Sequence, residues 1–271
     1  MATIDVNGTT VHYERIGTGP AILFVHGLCG HAGAWTEQAE RLADRHTCVR
    51  YDRRGHTGSA RGDAIITDAL HADDAAALIE ALDLAPCLIV GSSSGAAIAV
   101  DVMLRYGHLL RGAVLSEPPL FSLDPDAGRE TMDELGPLVE EAVASGRPGA
   151  FVDAFYPAMC PGLWAIIGEA AKDGYRANAE IGLVDLMSPS LAVTPEDLAT
   201  VTTPALVVAG DRSRPAFRSI ARRLAGALAD ARLVEIEGSG HVTYAEQPDA
   251  FTHAVSAFAA ELDRRAAPAG P

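Results

Sequence analysis

The chain has few basic residues and no long apolar run. Its 271 residues include 21 Lys and Arg against 36 Asp and Glu, which gives a formal net charge of −15. Such an excess of negative charge repels nucleic-acid phosphates and anionic lipid headgroups, so we expect neither nucleic acid nor a membrane as a partner. No apolar run approaches the roughly 20 residues that a membrane-spanning helix needs.

Cysteine is also scarce, and the spacing of the cysteines does not indicate a metal site. The four cysteines are Cys29, Cys48, Cys87 and Cys160. None belongs to a C-x-x-C pair or sits at metal-ligand spacing, so we expect no metal site and no disulfide framework. The first residues show neither a basic region nor an apolar signal core. Together these features predict a cytoplasmic protein that works without a metal or a cofactor.

Short apolar runs alternate with segments of helical periodicity. Hydrophobic residues make up 48% of the chain and charged residues 21%, which is ordinary globular composition. The predicted strands are Thr3–Val6, Val11–Arg15, Ala21–Val25, Cys48–Tyr51, Cys87–Val90, Ala113–Leu115, Ala205–Ala209 and Leu233–Ile236. Continuous apolar runs are typical of strands that are buried on both faces of a parallel sheet. This alternation predicts an α/β fold with a doubly wound, mostly parallel sheet.

The interval from 118 to 203 interrupts this alternation because it contains no strand-like run. We predict that it is a helical cap inserted into a core formed by residues 1–117 and 204–265, followed by a frayed tail over 266–271. The predicted cap helices are Arg129–Ala144, Gly149–Tyr156, Leu163–Lys172 and Asn178–Met187. Four apolar residues near or in this interval are candidates for lining a substrate pocket: Phe121, Phe155, Trp164 and Met187.

A nucleophile motif occurs where a buried strand passes directly into a helix. Residues 91–95 read Gly-Ser-Ser-Ser-Gly and match G-x-S-x-G at Gly91, Ser93 and Gly95. In this context the sharp turn exposes the central hydroxyl at the carboxyl edge of the sheet, beside a helix N-terminus. A phosphate-binding loop would instead need G-x-G-x-x-G or a Walker lysine, and neither is present. The motif therefore predicts Ser93 as a nucleophile.

With these motifs the chain resembles the α/β-hydrolase superfamily over essentially its whole length. The resemblance rests on a strand ending in His26-Gly27, the loop 52–59, the Ser93 elbow and a late Gly240-His241. It implies that His241 is the general base, because a serine hydroxyl is a weak nucleophile until an imidazole takes its proton. It also implies that the backbone amides of Leu28 and Ser94 form the oxyanion hole.

The remaining histidines have less specific positions. We expect His26 to be structural. His31 and His56 lie in loops that could reach the rim of a pocket. The others are expected to be solvated: His12, His46, His71, His108 and His253.

The acidic member of the triad departs from the common family pattern. That acid usually lies three residues beyond a Gly after the penultimate strand, and here this position, counted from Gly210, is Ser213. Asp211 comes two residues too early. A second acid position is known in the superfamily, at the end of the strand that follows the nucleophile helix, and Glu117 occupies it. We therefore predict Glu117 as the acid, with Asp211 as the alternative.

The elbow and the acid position are similar to those of zearalenone-type lactone hydrolases. These share a Ser-Ser-Gly-Ala core, here beginning at Ser93, and a Glu before a Pro, here Glu117-Pro118. The resemblance implies a serine hydrolase that cleaves an ester or lactone of a hydrophobic small molecule. A C–C bond hydrolase, a lyase, a perhydrolase and a slow or non-catalytic ligand receptor on the same fold remain alternatives.

Overall fold

Eight strands form a single sheet in the computed structural model, which describes residues 2–266. The strands are β1 Ala2–Val6, β2 Thr9–Ile16, β3 Ala21–Val25, β4 Thr47–Tyr51, β5 Cys87–Ser92, β6 Leu110–Ser116, β7 Ala205–Gly210 and β8 Ala231–Ile236. Their spatial order is β1-β2-β4-β3-β5-β6-β7-β8. Only the pairings of β2 with β1 and with β4 are antiparallel. The predicted doubly wound, mostly parallel α/β sheet is therefore confirmed.

Twelve α-helices of the described chain connect or follow these strands. They are α1 Thr36–Leu42, α2 Asp68–Ala81, α3 Ser94–Tyr106, α4 Pro125–Ser145, α5 Pro148–Met159, α6 Pro161–Ile166, α7 Glu169–Ala177, α8 Ala179–Met187, α9 Pro195–Ala199, α10 Pro215–Ala227, α11 Thr243–Glu246 and α12 Pro248–Ala266. Short 3₁₀ helices cover Ala32–Trp35, Gly107–Leu109 and Phe121–Leu123. None of the helices within residues 2–266 is both long and apolar enough to cross a membrane.

The central strands are buried on both faces, as their continuous apolar runs predict. Along β3, Leu23 and Val25 belong to the apolar layer that contains α2, α3 and α10. Ile22 and Phe24 point the other way, into the layer that contains α1 and α12. Because parallel strands end at the same edge of the sheet, the residues that follow β3, β5, β6, β7 and β8 are brought together there.

Six helices, α4 to α9, lie between β6 and β7, and we call them the helical insertion. Proline at the first helical turn starts α4 and α5, because its missing N–H is not needed there. The predicted helix Leu163–Lys172 is wrong. Ile167 is extended, with ψ 142°, so the chain forms α6 and α7 instead. Of the predicted tail, Ala266 ends α12 and residues 267–271 lie outside the described residues.

Candidate active site

Ser93 occupies a strained turn between β5 and α3. Its backbone has φ 55° and ψ −126°, a conformation that few L-residues adopt. Gly91 makes this turn possible, because a Cβ there would collide with the backbone of Gly95 and Ala96. The amide of Ser93 donates to the carbonyl of Ser116 at 2.8 Å. The turn thus fixes the Ser93 side chain at the carboxyl edge of the sheet.

Glu117 comes directly after β6 and is completely buried. Its backbone is left-handed, with φ 49°, and its amide donates to the Val208 carbonyl of the neighbouring strand β7. The carboxylate then accepts three hydrogen bonds. Oε1 accepts from the Gly210 amide at 2.8 Å, and Oε2 accepts from the Ser213 hydroxyl at 2.6 Å and from His241 Nδ1 at 2.6 Å. Both oxygens of this buried carboxylate therefore have hydrogen-bond partners.

His241 lies on the loop after β8 and packs its ring against Phe217, with centroids 4.2 Å apart. Because Nδ1 faces Glu117, the other ring nitrogen is available on the opposite side of the ring. His241 and Ser93 line the same two cavities. The structure therefore brings Ser93, His241 and Glu117 to one edge of the sheet, where Glu117 contacts His241 and His241 shares two cavities with Ser93.

Asp211, the alternative acid, forms a hydrogen bond elsewhere. Its Oδ1 accepts a hydrogen bond from the Gly238 amide at 2.8 Å, and so it closes the turn that follows β8. Ser213, at the common family position of the acid, donates to Glu117 instead. The sequence alone does not reveal this contact, although a serine hydroxyl at position 213 is a suitable donor to a carboxylate from the neighbouring strand.

The loop after β3 runs beside the nucleophile, since a Cβ on Gly27 would lie 3.2 Å from the Ser93 Cβ. The Gly27 carbonyl accepts from His26 Nδ1 at 2.9 Å, and from the Gly30 amide and Arg53 Nη2 at 3.1 Å each. In a trans peptide the carbonyl and the following N–H point in opposite directions. These donors therefore fix the Gly27–Leu28 peptide so that its N–H, the Leu28 amide, points to the side opposite the three donors.

Side chains from the helical insertion hold the next carbonyls of this loop. The Tyr156 hydroxyl donates to the Leu28 carbonyl at 2.6 Å, and Asn178 Nδ2 donates to the Gly30 carbonyl at 2.7 Å. Burial raises the pKa of Tyr156 well above its usual value, so its hydroxyl remains a donor. Neither contact is visible in the sequence, because each joins residues more than a hundred positions apart.

Two cavities of very different size meet at Ser93 and His241. The larger has a volume of about 440 Å³. Its lining is mainly apolar and includes Leu28, Phe121, Met132, Leu135, Phe155, Met159 and Phe217, together with Ser94, Asp68 and Asp185. The smaller has a volume of about 30 Å³. Its walls include Phe155, Tyr156, Cys160, Leu163, Tyr175 and Tyr244.

The four predicted pocket residues occupy different places. Phe121 and Phe155 line the larger cavity. Trp164 lines neither cavity and stacks on Tyr156, with ring centroids 5.2 Å apart. Met187 lies at the end of α8 with 67% of its surface exposed, so the structure does not bring it to the site. Helical periodicity does not determine which face of an inserted helix points toward the sheet.

A buried charged cluster joins the helical insertion to the core. Asp185 on α8 forms an ion pair with Arg53 Nη2 at 2.9 Å, and its other oxygen lies 3.0 Å from His71 Nε2. The His56 ring lies in the same cluster and has no exposed surface. The expectation of solvated histidines is therefore wrong for His71, and also for His46, which is 6% exposed. Since Arg53 also donates to Gly27, the cluster contributes to holding the loop beside Ser93.

We expect this cluster to make the fold sensitive to mild acid. Burial, followed by the nearby Arg53 charge, lowers the pKa of His56 to about 3, and burial also lowers the pKa of His26. Below about pH 6.5 these histidines become protonated in the unfolded chain but stay neutral in the folded chain. The free energy of unfolding therefore falls as the pH drops from about 6.5 toward 3. Each such histidine contributes about 1.4 kcal/mol per pH unit in that interval.

Urea unfolding between pH 7 and pH 5, above the range in which carboxylates titrate, measures this dependence. His56→Gln should make the fall in unfolding free energy shallower, whereas His253→Gln, at an exposed position, should leave the slope unchanged. Equal slopes in wild type and His56→Gln would contradict the assignment to His56.

A model of the alpha/beta hydrolase family matches residues 22–254 of the chain. The chain therefore belongs to that family, as the motifs and the fold indicate.

The relatives and solved structures that resemble this chain differ in their activities. The uncharacterized hydrolase YraK of Bacillus subtilis is 38% identical over 123 residues, a match that spans 45% of each chain. The 2-(acetamidomethylene)succinate hydrolase of Mesorhizobium japonicum is 26% identical over 265 residues, covering 94% of this chain and 93% of the relative. The enol-lactonase of Burkholderia xenovorans LB400 superposes with a TM-score of 0.74 at 25% identity, covering 96% of this chain and all of the other.

Proposed function

We propose that the chain is a serine hydrolase that cleaves a carboxylic ester or lactone of a hydrophobic small molecule through an acyl-enzyme. The observation that carries the proposal is the 2.6 Å contact between Glu117 Oε2 and His241 Nδ1, at a site that His241 shares with Ser93. A buried carboxylate orients the imidazole and stabilises its protonated form, which allows the other ring nitrogen to act as a base.

Each residue has a role in the proposed reaction. His241 takes the proton of the Ser93 hydroxyl as its oxygen attacks the ester carbonyl. The amides of Leu28 and Ser94 donate to the oxyanion, and both are set in place before the reaction begins. Protonated His241 then gives its proton to the leaving alcohol, and the C–O bond breaks. Water, deprotonated by His241, attacks the acyl-enzyme and releases the acid and free Ser93.

Two further facts support an ester or lactone substrate. The larger cavity beside Ser93 is mainly apolar and its volume of about 440 Å³ is in the range of small-molecule sites. Among the relatives, the enol-lactonase acts on a lactone, as its name states.

The proposal is tested by covalent labelling with a fluorophosphonate and by hydrolysis of p-nitrophenyl esters. We expect one phosphonyl group per chain, located on Ser93 by peptide mass spectrometry, and a rapid initial release of nitrophenol as the acyl-enzyme forms. Ser93→Ala should abolish both signals. Ser256→Ala on α12, which lines neither cavity, is the matched control and should behave like wild type.

Two results would contradict the proposal. One is saturable binding of esters with neither labelling nor turnover, which would favour a ligand receptor. The other is turnover that survives in Ser93→Ala, which would require a different nucleophile.

A further inference from the structure

We propose that the substrate is an open-chain ester with two unequal halves. One half is bulky and apolar, and the other is short, as in an acetate, a propionate, or a methyl or ethyl ester. This inference rests on the proposed function. The observation behind it is that Ser93 and His241 stand between a cavity of about 440 Å³ and a cavity of about 30 Å³.

The small cavity accepts only a short group. Its volume of about 30 Å³ is less than a tenth of the volume of about 440 Å³ of the larger cavity. In the tetrahedral intermediate the acyl and alkoxy groups leave the reacting carbon in different directions. With Ser93 between two cavities, one group therefore enters each of them, and the small cavity limits the length of one.

The walls of the small cavity are formed by buried, closely packed side chains. Tyr156, Tyr175 and Tyr244 are each at most 7% exposed, and Cys160 and Leu163 are at most 3% exposed. The rings pack against other aromatic rings. The ring centroids of Tyr156 and Tyr175 lie 4.7 Å apart, and Tyr244 stacks on Trp35 with centroids 4.0 Å apart. Inserting extra methylenes into such packing forces side chains out of their preferred rotamers.

The larger cavity is less restricted. Met132, on its wall, is 43% exposed, so this cavity reaches the surface. Its apolar lining from Phe121, Leu135 and Phe217 favours an aromatic or branched apolar group. The two halves of the site therefore select for size in opposite ways.

Two ester series test the inference. The first keeps 2-phenylethanol as the alcohol and lengthens the acid from acetate to hexanoate. The second keeps phenylacetate as the acid and lengthens the alcohol from methyl to hexyl. We expect kcat/KM to fall at least about 10-fold for each methylene added beyond the propionate or the ethyl ester in one of the two series. The series that falls identifies which half occupies the small cavity.

A flat dependence in both series would overturn the inference while leaving the proposed function intact. No hydrolysis of any ester would instead contradict the proposed function.

A variant that enlarges the small cavity provides the second test. Leu163→Ala should raise the butyrate-to-acetate ratio of kcat/KM, or the corresponding butyl-to-methyl ratio, at least about 10-fold. Leu183→Ala is the matched control, because Leu183 is a buried leucine of the same apolar layer that lines neither cavity. Its ratio should stay at the wild-type value.

Cys160→Ala removes one wall atom from the same cavity and replaces Leu163→Ala if that variant does not fold. Ratios that stay unchanged in the folded cavity variant would show that these walls do not set the length limit, and the inference would be wrong.

Discussion

Glu117→Gln should lower kcat by about 10³-fold to 10⁴-fold, with little change in KM. Glutamine keeps the size of the side chain, and its carbonyl oxygen can still accept from the Gly210 amide in the place of Oε1. Its NH₂ then takes the place of Oε2, the oxygen that faces the Ser213 hydroxyl and His241. It cannot neutralise a protonated His241, and its amide NH₂ can face Nδ1 and favour the wrong tautomer. The loss therefore falls on the transition state rather than on substrate binding.

Asp211→Asn is the matched control for this experiment. Asp211 accepts from the Gly238 amide, and asparagine can still accept that hydrogen bond through its carbonyl oxygen. We expect kcat within about twofold of wild type, because the side chain does not touch His241. A large loss in Asp211→Asn together with full activity in Glu117→Gln would show that the assignment of the acid is wrong.

Moving the acid to position 213 should recover at least about 10²-fold of the activity that removal of Glu117 destroys. The Ser213 hydroxyl and His241 Nδ1 each lie 2.6 Å from the same oxygen of Glu117. An aspartate at 213 reaches about one bond length further than serine, into the space that this oxygen leaves. Glu117→Gly is the suitable background, because glycine adopts the left-handed backbone at 117 without strain.

The measurement is kcat for Glu117→Gly, for Glu117→Gly with Ser213→Asp, and for Glu117→Gly with Ser213→Asn. Only the aspartate should restore activity, since asparagine has the same shape without the charge. Ser213→Asp alone should be harmful, because two carboxylates in one buried site cannot both stay ionised. Equal activity of the aspartate and asparagine double variants would contradict the relocation.

The parts of the fold that depend on local pattern were predictable from the sequence. Apolar runs such as Ala21–Val25 indicate buried parallel strands, and the glycines around Ser93 indicate the strained turn. Glu117 could be proposed because Ser213 cannot serve as the acid. The catalytic roles of these residues stay predictions until the variants are measured.

Contacts between distant segments could not be predicted in this way. His71 reads as an exposed helical residue, but it is buried because Asp185, 114 positions away, lies against it. Tyr156 and Asn178 belong to helices whose orientation on the sheet is set by packing, so their contacts with the loop after β3 have no local signal. Likewise, the extended Ile167 that divides the predicted helix Leu163–Lys172 depends on tertiary packing rather than on propensity.

The hydrogen bonds from Tyr156 and Asn178 to the loop after β3 limit how this protein can acquire new substrates. A wholesale exchange of the helical insertion with that of a relative would remove the donors that hold the Leu28 and Gly30 carbonyls of this loop, and we expect the chimera to lose catalytic power together with its old specificity. Single replacements at Met132 or Leu135, which line the larger cavity and whose side chains donate no hydrogen bond to that loop, carry no such penalty. Adaptation of this chain is therefore expected to proceed one wall residue at a time rather than by shuffling of the insertion.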